Sequence, residues 1–143
     1  MERYAYQHGM RTPNQSVEEA KKLADDFISG HLRAARDLAP QGCKSGAGKI
    51  SADALWEFGQ ALHTITDMTS PAHAGFQIWY GPPIPTGLPI DLIRYYRYKQ
   101  YADRHSAQES LAVYNSDPVR RQNIINAARE VFKKTFGDCG CCS

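Results

Sequence analysis

The chain has 143 residues, of which 42% are hydrophobic and 22% charged. That balance excludes a disordered polymer and fits one globular domain over 1–143, since the length is short for two cores. The net charge of +2 is too small to imply nucleic-acid or membrane binding by itself.

No run of about 20 apolar residues is present to span a bilayer, and the opening MERYAYQHGMR lacks the apolar centre of a signal peptide. YAYQHGMR is nonetheless too aromatic for a floppy tail. It predicts either a short helix or an extended arm laid on the core. Gly9 after His8 lets the backbone approach a neighbour closely. Taken alone, His8 reads as an ordinary structural histidine.

The first strong helix is predicted from Ser16 to Ala39. Ser16 and Glu19 have capping-box spacing, and Val17, Ala20, Leu23, Phe27, Ile28 and Leu38 supply an apolar stripe that ends at Pro40. Asp25 and Asp26 point about 100° apart, so at most one faces a given pocket. A solvated helix face accounts for both. Residues 40–50, PQGCKSGAGKI, superficially suggest a phosphate loop. They fail its spacing, with Cys43 where glycine is needed and Ile50 after Lys49. They read as a connector.

Ser51 caps a second helix, and Asp53 suits its positive end. Leu55, Phe58, Leu62 and Ile65 form its stripe, with His63 just beside it. The stretch Ala54 to Gly75 is the most informative in the chain. His63 and Asp67 lie on one helix face, about 6 Å apart along the axis. Pro71 stops the helix, and His73 follows the stop, placed to fold back over the same face. A His/Asp pair alone is often only a surface hydrogen bond; the third ligand-type residue makes a metal site the better reading.

Residues 78–90, IWYGPPIPTGLPI, form a stiff aromatic loop. With Phe76, Trp79, Tyr80, Ile84 and Leu88 it walls a substrate pocket, touches lipid, or packs its own apolar residues. A third helix is predicted from Asp91 to Tyr114, with Leu92, Tyr95, Tyr96, Ala102, Leu111 and Val113 available to pack. It carries a second His-x3-acid pair, His105 and Glu109. A fourth helix starts at a Ser116 or Asp117 cap with Pro118 in its first turn, carries an apolar stripe of Ile124, Ala128, Val131 and Phe132, and stops at Gly137. Residues 138–143 hold Cys139, Cys141 and Cys142. Their C-x-C-C pattern is able to bind a soft metal, but a frayed tail is the simpler reading. Without β alternation or repeats, the expectation is a mainly α, compact helical bundle of about four long helices with long connecting loops.

Neutral imidazole plus carboxylate suits zinc, with manganese or iron as alternatives. The stretch LHTITDMTSPAHA resembles the core motif of the zinc-dependent phospholipase C family, related to the single-strand-specific zinc nucleases. The pattern there is His, three residues, Asp, five residues, His, then a later His-x3-Glu or His-x3-Asp. His63, Asp67, His73, His105 and Glu109 match it, and His8 fits an earlier histidine. The YQHGMR lead-in and MTSPAHAGF also resemble C-terminal toxin domains of bacterial RHS-type polymorphic proteins. The chain departs from the family in being much shorter, in its proline-rich connection from His73 to His105, and in lacking a clear N-terminal tryptophan. Asp26 and His31 are the only candidates to complete a third zinc site, so one or two ions are expected.

The resemblance implies phosphodiester hydrolysis. In that reading Asp67 bridges two ions. His73, His105 and Glu109 hold one, and His8 with Asp67 holds the other, while His63 ligates or orients Asp67. Arg11 becomes a phosphate clamp and Asp26 a candidate general base. The implied substrate is a phospholipid, with membrane-surface contact, or another phosphodiester. The implied setting is a secreted or delivered effector acting in a target cell and met by a cognate immunity protein. Two alternatives stay open. One is a metal-dependent nuclease using the tyrosines and arginines of RYYRYKQY (94–101) on nucleic acid. The other is a non-enzymatic helical binding module with a structural metal.

Overall fold

The computed structural model describes residues 2–39 and 49–137. The expectations for Cys43 and its connector up to residue 48, and for the cysteine tail at 138–143, lie outside the described residues. Four long helices carry the fold: α1 (Val17–Leu38), α2 (Ala52–Asp67), α3 (Ile90–Gln108) and α5 (Pro118–Phe136), with a short α4 (Leu111–Ser116) before the last. A 3₁₀ helix over Glu2–His8 precedes them. The described residues contain no strand, only an isolated parallel bridge between Arg11 and Ile78. The mainly α expectation holds.

The helix starts follow their local chemistry. The Ser16 hydroxyl accepts the Glu19 amide and the Glu19 carboxylate accepts the Ser16 amide, a complete capping box. Ser51 caps α2 through the Ala54 amide, and Asp117 caps α5 through the Arg120 amide, with Pro118 at the first position. Gly137 ends α5 at φ 64°.

α1 and α2 pack against each other through small residues. Ala20, Ala24 and Ala35 are the buried positions of α1, and Ala54, Phe58, Ala61 and Thr64 those of α2. The predicted stripe is thereby corrected: Val17, Leu23 and Leu38 of α1 and Leu55 of α2 are exposed. Alanine faces let the two helix axes come close, and the larger side chains are left at the rim of that contact. One core cluster joins Ala35, Ala54, Phe58 and Phe136, flanked by Leu62, Val131 and Phe132. Phe58 meets both α5 rings, at 5.5 Å to Phe132 and 5.3 Å to Phe136. A second cluster joins Ala20, Ala24 and Phe76, with Tyr6 and Met68 against it.

The third predicted helix is two helices. Ser110 accepts the Val113 amide and starts α4 anew, and Glu109 sits at the break with φ −97° and ψ 1°. α3 itself buries no residue. Leu92, Tyr95, Tyr96 and Leu111, expected to pack, are exposed. α3 is held mainly through its inner face, where Tyr101 and His105 meet Trp79 and His73, and the Tyr101 hydroxyl donates to the Ile78 carbonyl at 3.2 Å.

Candidate metal centre

Three pieces of backbone converge on the end of α2. The 3₁₀ helix docks there because the Thr64 hydroxyl donates to the Gln7 carbonyl at 2.6 Å. Gly9 follows at φ +63°, and its α-carbon faces Met68 so closely that an added Cβ would lie 2.7 Å from Met68 Cγ. The lead-in is then pinned to the segment after His73: Arg11 N–H donates to Gln77 and Trp79 N–H donates back to the Arg11 carbonyl. These bonds bring His8 beside α2 across 55 residues of sequence.

The turn after α2 aims His73. Ser70 N–H bonds the Asp67 carbonyl at 2.8 Å, His73 N–H bonds the Ser70 carbonyl, and Phe76 N–H bonds the His73 carbonyl. Phe76 adopts φ 55°, a left-handed conformation that costs a non-glycine residue roughly 1–3 kcal/mol. Burial of its ring against Ala20 and Ala24 offsets that cost.

The first ligand group is His8, His63 and Asp67. Asp67 Oδ2 lies 3.0 Å from His8 Nδ1 and 3.3 Å from His63 Nε2, and the two nitrogens are 3.1 Å apart. The second group is His73, His105 and Glu109. His73 Nε2 lies 3.0 Å from His105 Nε2 and 2.7 Å from Glu109 Oε1, and His105 Nε2 lies 3.3 Å from Glu109 Oε2. Both groups line one cavity of about 570 Å³.

These triangles fit a cation better than they fit hydrogen bonds. A carboxylate only accepts and each imidazole nitrogen carries at most one proton, so no choice of tautomers satisfies all three edges of a triangle. The nitrogens, 3.0–3.1 Å apart, bond each other only when one is unprotonated, and that one then turns a lone pair towards the carboxylate. A central divalent cation satisfies all three lone pairs at once. Atoms about 2.0–2.1 Å from a tetrahedral zinc stand roughly 3.3 Å from one another, close to the edges seen here.

The two groups differ in environment. His63, read from sequence as lying beside the buried stripe, is exposed, as is His8. The His8 imidazole is held above its ordinary pKa, chiefly by its hydrogen bond to Asp67, against some desolvation. His73 is 1% exposed, and burial lowers its pKa. Its ring stacks on His105 at 4.8 Å, and its outer Nδ1 is buried with no partner among the described residues. Trp79 packs edge-on against His105 at 5.5 Å.

Comparison with protein-family models, curated proteins and solved structures returned no match to this chain. The site therefore stands on its own geometry.

All six sequence-expected metal ligands are brought together; Arg11, Asp26 and His31 are not with them. Arg11 donates from Nη1 to the Gln15 carbonyl and borders a neighbouring cavity with Tyr101 and Arg104. Asp26 is exposed on α1 and paired with Lys22 at 2.6 Å. His31, further along α1, bonds Glu57 of α2 at 2.5 Å and packs on Phe27. Neither Arg11 nor Asp26 lines the histidine cavity, though His105 lines both that cavity and the one Arg11 borders. The cation that does line it is Arg120, at the start of α5, whose Nε donates to the Thr69 carbonyl at 3.2 Å. Tyr114 and Ser110 also line the cavity. Sequence gave little sign of Arg120: it is one arginine of a pair in a helix's first turn, where a solvated face is the default.

Proposed function

We propose that this protein is a metal-dependent phosphodiester hydrolase, phospholipase C-like, with zinc as the metal that its ligands best suit. The observation that carries the reading is the pair of three-ligand groups opening into one cavity with a guanidinium on its wall. These residues would hold divalent ions, which would supply positive charge to polarise a phosphodiester and acidify water. The chain's own part is to hold and orient. His8, His63 and Asp67 form one cradle, and His73, His105 and Glu109 form the other. Arg120, fixed through Thr69, is positioned to pair with a phosphate oxygen. Tyr114 and Ser110 offer hydroxyls to the same anion, and Trp79 shields one side of the second cradle from water.

The experiment is hydrolysis of a soluble diester, bis-p-nitrophenyl phosphate, and of phosphatidylcholine vesicles by zinc-reconstituted protein. Asp67→Asn and His73→Ala are each expected to lose at least about 100-fold in kcat/KM, beyond the 10–100-fold typical of a lost outer-shell partner. Arg120→Gln should lose activity while keeping its zinc. Full metal loading with neither diester turned over would leave a structural metal in a binding module. The toxin and immunity-partner reading rests on the likeness of YQHGMR and MTSPAHAGF. Growth arrest by the expressed domain, relieved in Asp67→Asn, is its expected mark.

A nuclease is the second reading, favoured by one observation: Tyr95, Tyr96, Arg94 and Arg97 all stand exposed on α3. A single-stranded DNA substrate in the same assay decides between them.

A further inference from the structure

A second cavity, of about 420 Å³, lies beside the metal centre. Helical spacing builds one side of it. Tyr101, Arg104, His105 and Gln108 stand at i, i+3, i+4 and i+7 of α3, so they share one face. All four line the cavity, and the rest of it comes from Arg11 and the chain after α2. His105 and Gln108 line the metal cavity as well, so the two spaces adjoin.

The second cavity is cationic and lacks a counter-charge. Arg11 and Arg104 line it, and no carboxylate among the described residues does. The acids nearest Arg104 in sequence are committed elsewhere. Asp103 pairs with Lys99 at 2.7 Å, and Glu109 with His73 at 2.7 Å.

Arg11 is fixed before any ligand arrives. Its amide donates to the Gln77 carbonyl at 3.1 Å, and its carbonyl accepts the Trp79 amide at 2.8 Å. Its Nη1 donates to the Gln15 carbonyl at 3.0 Å. Its Nε, by contrast, is buried with no acceptor among the described residues. Buried donors are rarely left unmatched. A half-buried guanidinium that no carboxylate meets is matched by an anion with several acceptor oxygens, and phosphate suits its fork. The Tyr101 hydroxyl is already spent on the Ile78 carbonyl at 3.2 Å, so further donors come from Arg104 and the Gln108 amide. A cavity of this size is that of a small-molecule site, with room for a phosphate still attached to its parent molecule.

We propose that this cavity is a phosphate subsite, and that its occupant is a second phosphate borne by the substrate whose diester lies at the metal centre. Arg11 and Arg104 bind it, and the shared wall of His105 and Gln108 sets its place beside the scissile group. The anion site stands on its own geometry; the assignment of its occupant to the substrate rests on the hydrolase reading.

The test has two arms. In the first, inorganic phosphate is titrated into the zinc-loaded protein by calorimetry. Arg11→Gln should weaken binding about tenfold, the worth of a charge-assisted hydrogen bond. Arg11→Lys, which keeps the charge and loses the fork, should fall between Arg11→Gln and the parent. Arg104→Gln should weaken binding about threefold, because Arg104 is exposed and its charge is screened. That exposed position reads the site even where loss of Arg11 disturbs the lead-in. The second arm follows p-nitrophenolate release from the p-nitrophenyl diester of glycerol phosphate, with and without a second phosphate on the glycerol. The parent should favour the doubly phosphorylated ester about tenfold in kcat/KM, and Arg11→Gln and Arg104→Gln should each shrink that ratio. Equal phosphate affinity in the parent, Arg11→Gln and Arg104→Gln would put the anion on the metal ions and overturn the proposal. Arginine-dependent phosphate binding with no preference between cleaved esters would overturn the substrate assignment and leave free phosphate as the occupant. Arginine-dependent binding with neither ester cleaved removes the hydrolase reading and keeps the anion site. Both esters cleaved equally, without arginine-dependent binding, removes the anion site alone.

Discussion

His8 and His73 meet opposite environments, and the difference is measurable. The Asp67 hydrogen bond favours the protonated His8, while burial disfavours protonated His73. Protons compete with a metal for the same lone pairs. As pH falls from about 8 towards 5, across the range where imidazoles titrate, His8 takes its proton first. The His8–His63–Asp67 group should therefore release zinc at a higher pH than the His73–His105–Glu109 group. Glu109→Gln isolates the first group and Asp67→Asn the second, so zinc titrations of the two variants read each alone. Glu109→Gln holding zinc to the lower pH would contradict the assignment. Gly9 is the other decisive residue. Gly9→Ala forces a left-handed alanine and a contact 2.7 Å from Met68 Cγ. The expected loss is about 1–2 kcal/mol of stability, seen as a lower Tm, with weaker zinc binding at the His8 group than at the His73 group. Equal weakening at both would show that Gly9 acts on the whole fold and not on His8.

At the scale of elements, α3 is the part most dependent on the site. It buries no residue of its own, and beside the Tyr101 and Trp79 contacts it is tied to the rest by His105 and by Glu109 at its C-cap. Chelation should raise amide exchange over 90–108 by an order of magnitude or more, while α1 and α2 keep their protection, since local openings draw on local contacts. Uniform protection with and without zinc would mean α3 is held by Trp79 and Tyr101 alone. The boundaries of these elements were largely legible from sequence, because caps are short-range chemistry: Ser16 with Glu19, Ser51, Asp117 with Pro118, and Gly137 all act as their types predict. The break at Glu109 was not, because Ser110 competes locally with an otherwise unbroken helical pattern. The buried face of α1 was not either. Weight given to Val17 and Leu23 hid an alanine face whose value lies in close approach.

For the whole molecule, the pairs His63/Asp67 and His105/Glu109 were readable as i,i+4 pairs, and His73 as their neighbour beyond the proline. What brings them together is not local. His8 arrives through the Thr64–Gln7 bond and the bridge between Arg11 and Ile78, and Arg120 enters the cavity wall from a helix 51 residues past Thr69. Asp26 stands exposed and paired with Lys22, while Arg11 borders a second cavity that His105 also lines. The resulting architecture is a small aromatic and alanine core that sets two imidazole–carboxylate triangles at one mouth.

Anomalous diffraction at the zinc edge, from crystals of the zinc-loaded protein, tests that claim most directly. Two peaks are expected, one bounded by His8 Nδ1, His63 Nε2 and Asp67, the other by His73 Nε2, His105 Nε2 and Glu109. Zinc found only at other residues, with these six side chains apart, would contradict it.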